Sequence, residues 1–116
     1  TMAYAGPCMH EFVMCLQDLK DATGCSAMDI AKGLLDHGIH PPTMYFPLIV
    51  HEALMIEPTE TESQETMDAV CGVFLHLWDV AHNDPQALHD APTKTPVRRL
   101  DEVGAARNPV LRYVKE

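Results

Sequence analysis

The chain has 116 residues, room for one domain around one hydrophobic core and too little for two, which excludes a complete multi-domain enzyme. Apolar residues make up 47% and charged residues 22%, with 6 Gly and 9 Pro, the composition of a globular domain and not of a disordered or low-complexity segment. Eight Lys and Arg against 17 Asp and Glu give a net charge of −9, so neither nucleic acid nor an anionic membrane is expected as a partner.

The charge is unevenly placed. From Lys94 to Glu116 there are six basic and three acidic residues, whereas the chain before Lys94 carries two basic and fourteen acidic ones. No apolar run approaches the roughly 18 residues of a membrane span, and the first residues lack the basic-then-apolar pattern of a signal peptide, so a soluble, cytoplasmic protein is expected. Cys8, Cys15, Cys25 and Cys71 form no Cys-x-x-Cys pair and sit largely within apolar periodic segments, which favours free, mostly buried thiols over disulfides.

In chain order, Glu11 to Leu16 alternates Phe12, Met14 and Leu16 with Val13 and Cys15, the pattern of a strand covered on both faces. Asp21-Ala22-Thr23-Gly24 is a break. Ser26 with Asp29 three residues on resembles a capping box, and Ile30, Leu34 and Leu35 follow at helical spacing until Gly38, which predicts a first helix. His40-Pro41-Pro42 ends it, because a residue before proline is driven out of the α region. Met44-Tyr45-Phe46 then reads as a short extended segment stopped by Pro47, and Ala53 to Ile56 as another short strand stopped by Pro58.

Thr59 to Ser63 offers oxygen side chains for an N-cap. Met67, Val70, Cys71, Phe74, Leu77, Trp78 and Ala81 then recur at spacings of three and four, predicting a second helix over 64–82 with this stripe, its lone tryptophan included, in the core. Asp84-Pro85 reads as a cap and an N1 proline opening a short turn over 85–89, and a brief helix is expected at Leu100 to Ala106. The order strand, helix, strand, strand, helix, tail gives an α+β fold: a small, mainly antiparallel sheet with two amphipathic helices on one face. Residues 1–93 form the domain, and 94–116 a basic tail that packs on it or on neighbours outside this chain.

Seven histidines invite a metal reading, but zinc needs three or four convergent ligands, and His37-Gly38-Ile39-His40 has no partner pair. After His51-Glu52, Met55 stands where a zinc-protease helix requires histidine. No metal is expected. The acidic run Glu57 to Ser63 lies between a strand end and a helix start, a place that can present catalytic carboxylates, although acids and hydroxyls there also suit the helix macrodipole and cap. Arg98, Arg99, Arg107 and Arg112 can fork onto a carboxylate or phosphate, or pair with the acidic body of the same chain. Of the four lysines, neither Lys20 nor Lys32 has the setting of a desolvated Schiff-base amine.

Longer matches say more. Tyr4-Ala5-Gly6-Pro7-Cys8-Met9-His10-Glu11-Phe12-Val13, Asp29-Ile30-Ala31-Lys32 with Leu34-Leu35-Asp36, and Pro42-Thr43-Met44-Tyr45-Phe46-Pro47 resemble the C-terminal part of the glycine-cleavage P-protein family. Glu52-Ala53-Leu54-Met55-Ile56-Glu57-Pro58-Thr59-Glu60-Thr61-Glu62-Ser63 resembles that family's most recognisable C-terminal motif. Thr95 to Val103, with Ala105 to Arg112, is similar to the tail of subunit 2 in the two-subunit prokaryotic form. The resemblance is ordered and covers essentially the whole chain.

The resemblance implies glycine dehydrogenase (decarboxylating): pyridoxal phosphate (PLP) acts as electron sink for loss of carbon dioxide from glycine, and the aminomethyl group passes to the lipoyl arm of H-protein. It implies the small domain of a fold-type I, aminotransferase-like enzyme, with the large domain of the same subunit, subunit 1, H-protein and glycine as partners. The family's Schiff-base lysine follows a histidine, and none of Lys20, Lys32, Lys94 or Lys115 does. That lysine and most of the PLP site are therefore expected in the large domain, and this chain, read as a trimmed C-terminal domain, is expected to be inactive alone. His10 and Glu11 at the strand start, with Glu57, Thr59, Glu60 and Thr61, are the expected cleft-facing residues. Arg98 and Arg99 are the candidates for glycine's carboxylate or an acidic H-protein surface. The alternative is a non-catalytic α+β interaction or regulatory module derived from the same small domain.

Overall fold

A computed structural model describes residues 1–115; Glu116, the last residue of the predicted tail, lies outside the described residues. Strand β1 (Phe12–Cys15), helix α1 (Gln17–Thr23), helix α2 (Ala27–Asp36), strands β2 (Thr43–Met44) and β3 (Ala53–Ile56), and helices α3 (Gln64–Asn83), α4 (Pro85–Asp90) and α5 (Glu102–Arg107) follow in that order. The sheet is antiparallel throughout in the order β1-β3-β2, as expected for a small α+β domain. Phe12 pairs with Ile56, Val13 with Met55 and Met14 with Leu54, while Met44 also pairs with Leu54. Because side chains alternate, Met14, Met44, Leu54 and Ile56 share one face, and that face meets the helices.

The core gathers Leu16, Leu19, Cys25, Ala27, Ile30, Leu34, Leu54, Leu77, Ala81 and Leu88, drawn from α1, α2, α3, α4, β3 and the connections between them. Helix α2 begins where the capping box predicts: Ser26 Oγ accepts from the Asp29 amide at 3.3 Å, and the Asp29 carboxylate accepts from the Ser26 amide at 2.8 Å. Gly33 lies where α2 meets α3 and α4. A Cβ there would stand 3.0 Å from a Leu77 methyl and 3.1 Å from a Leu88 methyl, so glycine sets the closeness of approach. Asp84 caps α4 through the Ala87 amide, with Pro85 at the first helical position.

Four expectations are corrected. Helix α1 occupies residues 17–20, for which no element is expected, and most of the break at 21–24; it is short, buries only Leu19 and ends at Gly24 with φ 81°, so it has little periodicity to reveal it. The extended segment at 44–46 stops at Met44, because Tyr45 adopts φ 61° and turns the chain into a loop. The α3 stripe is core only in its second half. Leu77 and Ala81 are buried, whereas Met67 (40%) and Cys71 are exposed in the first turns, which no element covers, and Trp78, although it lies in the second half, is 43% exposed on the edge of the buried stripe. All four thiols are free, but only Cys25 is buried, with its pKa raised by that burial; Cys8 and Cys71 lie on the surface and Cys15 is half-buried.

The outer sheet face is not covered by helices. Val13 is buried, but its partner Met55 is only half-buried, and both line an open groove with Met2, Tyr4, Phe12 and Pro47, so the strand is shielded unequally on its two sides. Residues 1–3 lie along the free edge of β1, with the Ala3 amide donating to Val13 O at 2.8 Å and the Cys15 amide to Thr1 O at 2.9 Å.

Candidate functional site

The residues singled out for chemistry fall into two groups. Antiparallel register carries on from Phe12–Ile56 to set Glu11 beside Glu57, so the start of β1 and the turn after β3 meet at one end of the sheet. Glu11 lines the outer groove, which has a volume of about 630 Å³. His10 Nε2 lies 3.7 Å from the Glu11 carboxylate, in an exposed setting where such a pair adds little stability. In the turn, Thr59 and Thr61 share a hydroxyl–hydroxyl hydrogen bond of 2.8 Å, and Glu57 and Glu60 are exposed. Ser63 caps α3 by accepting from the Thr66 amide at 3.1 Å. The Glu65 carboxyl, just past the acidic run in the first turn of α3, is held below its usual range, first by its own backbone amide and then by Ser63.

The second group stands at the other end of β3, around the start of α2. Asp29 is buried and accepts from Arg99 Nη2 at 2.6 Å, from Ser26 Oγ at 2.7 Å and from the Ser26 amide. His89 Nδ1 is 3.4 Å away. Arg99 also donates to the carbonyl oxygens of Ala91 (2.8 Å) and Leu88 (2.9 Å). Burial disfavours the Asp29 charge, but the bonds from Ser26 and Arg99 outweigh it and hold the carboxyl below the ordinary range. The Arg99 guanidinium thus works inside the chain. Arg98 is exposed and takes no hydrogen-bond or ion-pair partner among the described residues.

Three further carboxylate roles carry no sequence signal strong enough to find them. Glu52, read first as part of a His-Glu pair, is buried, accepts from the Ala27 amide at 2.7 Å at the head of α2, and is ion-paired with Lys20. The Lys20 pKa is raised, chiefly by the Glu52 hydrogen bond and charge, the opposite of what a Schiff-base nucleophile needs. Asp36, in the last turn of α2, accepts from the Thr93 amide at 2.7 and 2.8 Å, the Thr93 hydroxyl at 3.1 Å and the Lys94 amide at 2.7 Å. Lys32 lies 3.6 Å from Glu102. Among the described residues no three His, Cys, Asp or Glu side chains converge as metal ligands.

A model of the family described as glycine dehydrogenase, C-terminal domain, matches residues 2–94. The chain belongs to that family. It is 59% identical over 112 residues to a protein of Treponema denticola named probable glycine dehydrogenase (decarboxylating) subunit 2, covering 97% of this chain and 23% of that protein. Proteins of the same name from Thermosipho africanus and Thermotoga maritima are 55% and 53% identical over 112 and 110 residues, covering 97% and 95% of this chain and 23% of each protein. The chain therefore spans about a quarter of the length of the curated relatives it matches. The family resemblance read from Glu52–Ser63 and its flanking motifs is the correct one.

Lys20 is ion-paired and pushed toward its charged form, Lys32 faces Glu102, and Lys94 contributes its amide to Asp36.

Proposed function

We propose that the chain is the C-terminal portion of subunit 2 of a PLP-dependent glycine dehydrogenase (decarboxylating), which decarboxylates glycine and passes the aminomethyl group to the lipoyl arm of H-protein in the cytoplasm. The observation that carries this reading is identity of 53–59% sustained over at least 95% of the chain to proteins named as that subunit. Among the described residues no helix is long and apolar enough to cross a membrane. The alternative of a free-standing interaction module draws no support from these relatives.

In this reading PLP and its lysine belong to the large domain, and this domain closes one side of the cleft with the end of the sheet at His10, Glu11, Glu57, Thr59, Glu60 and Thr61. The internal bonds of Arg99 support a positioning role: it holds the segment that carries Arg98, and Arg98 is the group left to meet glycine's carboxylate or an acidic H-protein surface. The domain alone is inactive in this reading, because the family's Schiff-base lysine follows a histidine and none of Lys20, Lys32, Lys94 or Lys115 does.

The experiment is reconstitution of full-length subunit 2 with subunit 1 and lipoyl H-protein, followed by glycine–bicarbonate exchange. Removal of the region corresponding to residues 1–116 abolishes exchange and this chain alone gives none, if the reading is correct; exchange that survives the removal overturns it. Arg98→Ala is expected to raise the glycine or H-protein KM at least tenfold, and an unchanged KM for both withdraws Arg98 from the site.

A further inference from the structure

The outer face of the sheet carries a large apolar surface that the domain itself does not cover. Met2 and Tyr4 line its groove beside Val13, Met55 and Pro47, and the loop that follows Pro47 exposes Leu48 by 76% and Ile49 by 82%. Tyr45 and Phe46, before it, are also exposed. Isolated surface leucines need no explanation, but four exposed apolar residues in one loop, joined through Pro47 to an apolar groove, are what an interface leaves when its partner is absent.

The loop is held in this shape. Tyr45 and Glu52, at its two ends, both adopt left-handed backbone, with φ 61° and 48°, a conformation costly for residues with a Cβ. The Tyr45 amide donates to Ala53 O at 2.8 Å, the Val50 amide to Pro47 O at 2.9 Å, and the Glu52 side chain is buried against Ala27 and Lys20. The fold thus fixes both ends of a loop whose apolar tip points to solvent, which is preorganisation for a contact.

Two observations say which contact. Residues 1–3 pair along the edge of β1 that borders the groove, so a chain running into Thr1 arrives at this side of the sheet. The family is that of a C-terminal domain and the match covers only 23% of the relatives, so most of their chain lies before this region. The lining of the groove includes one charged residue, Glu11, in a chain with 17 acidic ones, so desolvating this face costs less than desolvating others.

We propose that the outer sheet face and the 45–50 loop form the docking surface for the preceding part of the same, longer chain. The proposal rests on the reading of this region as the C-terminal portion of such a chain, and it concerns packing, not catalysis.

The test uses full-length subunit 2 purified without subunit 1. A photo-crosslinking amino acid is placed at Phe46 and, separately, at Ile49, and the products are mapped by mass spectrometry. Crosslinks within one chain to residues that precede Thr1 are expected. Crosslinks only between two copies, or none, overturn the proposal. In parallel, Ile49→Glu is expected to speed amide exchange across 43–56 at least tenfold while 28–36 in α2 exchanges as before; unchanged exchange across 43–56 also overturns it. The crosslinking carries no new charge and decides alone if Ile49→Glu loosens α2 as well. Loss of the glycine reaction with intrachain crosslinks intact would remove the proposed function and leave the docking surface standing.

Discussion

Asp29 and Arg99 lie 70 positions apart, yet their bond joins the head of α2 to the tail and fixes what the neighbouring Arg98 can do. Two adjacent arginines in one run are indistinguishable in sequence; their roles separate only because Ala91 O, Leu88 O and Asp29 converge on one of them. Arg99→Ala would leave a buried carboxylate with Ser26 and His89 but without its strongest cation. The guanidinium is partly solvated, so the expected loss is about 1–2 kcal/mol and not the larger cost of breaking a fully buried pair. Arg98→Ala should change stability by less than about 0.5 kcal/mol. Urea denaturation of the two variants tests this, and equal losses would show that Arg99 carries no special role. Glu52→Ala removes the side-chain acceptor of the Ala27 amide and should cost about 2 kcal/mol by the same measurement.

Helices α2 and α3 show what periodicity conveys and what it leaves out. The Ser26–Asp29 cap and the α2 stripe were legible because a helix end and an apolar face are written in neighbouring residues. Strand β3 and the start of α3 at Ser63 were legible for the same reason. The α3 stripe gives the phase of the apolar face but not how far its cover extends, which depends on where α1, α2 and α4 happen to end. The sequence signal for Trp78 and for Leu77 is alike; their surroundings differ. Leu77→Ala should therefore cost about 2–4 kcal/mol, whereas Leu75→Ala, at an exposed position, should cost less than about 0.5 kcal/mol. At the crossing, Gly33→Ala gains roughly 1 kcal/mol of helix propensity but drives a methyl against Leu77 and Leu88, and overpacking of about 1–3 kcal/mol should leave the variant less stable than the parent. Thermal unfolding of the three variants gives the order; a stabilised Gly33→Ala would mean that α2 and α3 can part without penalty.

At the scale of the whole molecule, the radius of gyration is 15.8 Å, against about 13 Å for a compact domain of this length, and one axis extends 52 Å. Helix α3 is half-covered, the outer sheet face is open, and Val110, Leu111, Tyr113 and Val114 of the tail are 78–89% exposed, so the molecule is complete in its core but not on its surface. The contrast between an acidic body and a basic tail suggested a diffuse attraction; the structure resolves it into a few contacts, and the strongest use carboxylates of α2. Asp29 and Asp36 both have lowered pKa values: burial opposes ionisation in each, and bonds from Ser26 and Arg99, or from Lys94 and Thr93, outweigh it. A carboxyl whose folded pKa lies below its unfolded value stabilises the fold above the unfolded pKa, near 3.8, and loses that contribution as pH falls through the folded value. The tail should thus be fastened fully at neutral pH and released on acidification below about pH 4. Urea stability measured from pH 6 to pH 2 should fall by about 1–2 kcal/mol more in the parent than in Asp29→Asn/Asp36→Asn, which has no such charges to lose. Parallel curves would mean that the two carboxylates are as well served in the unfolded chain, and that the tail is held by its apolar contacts instead.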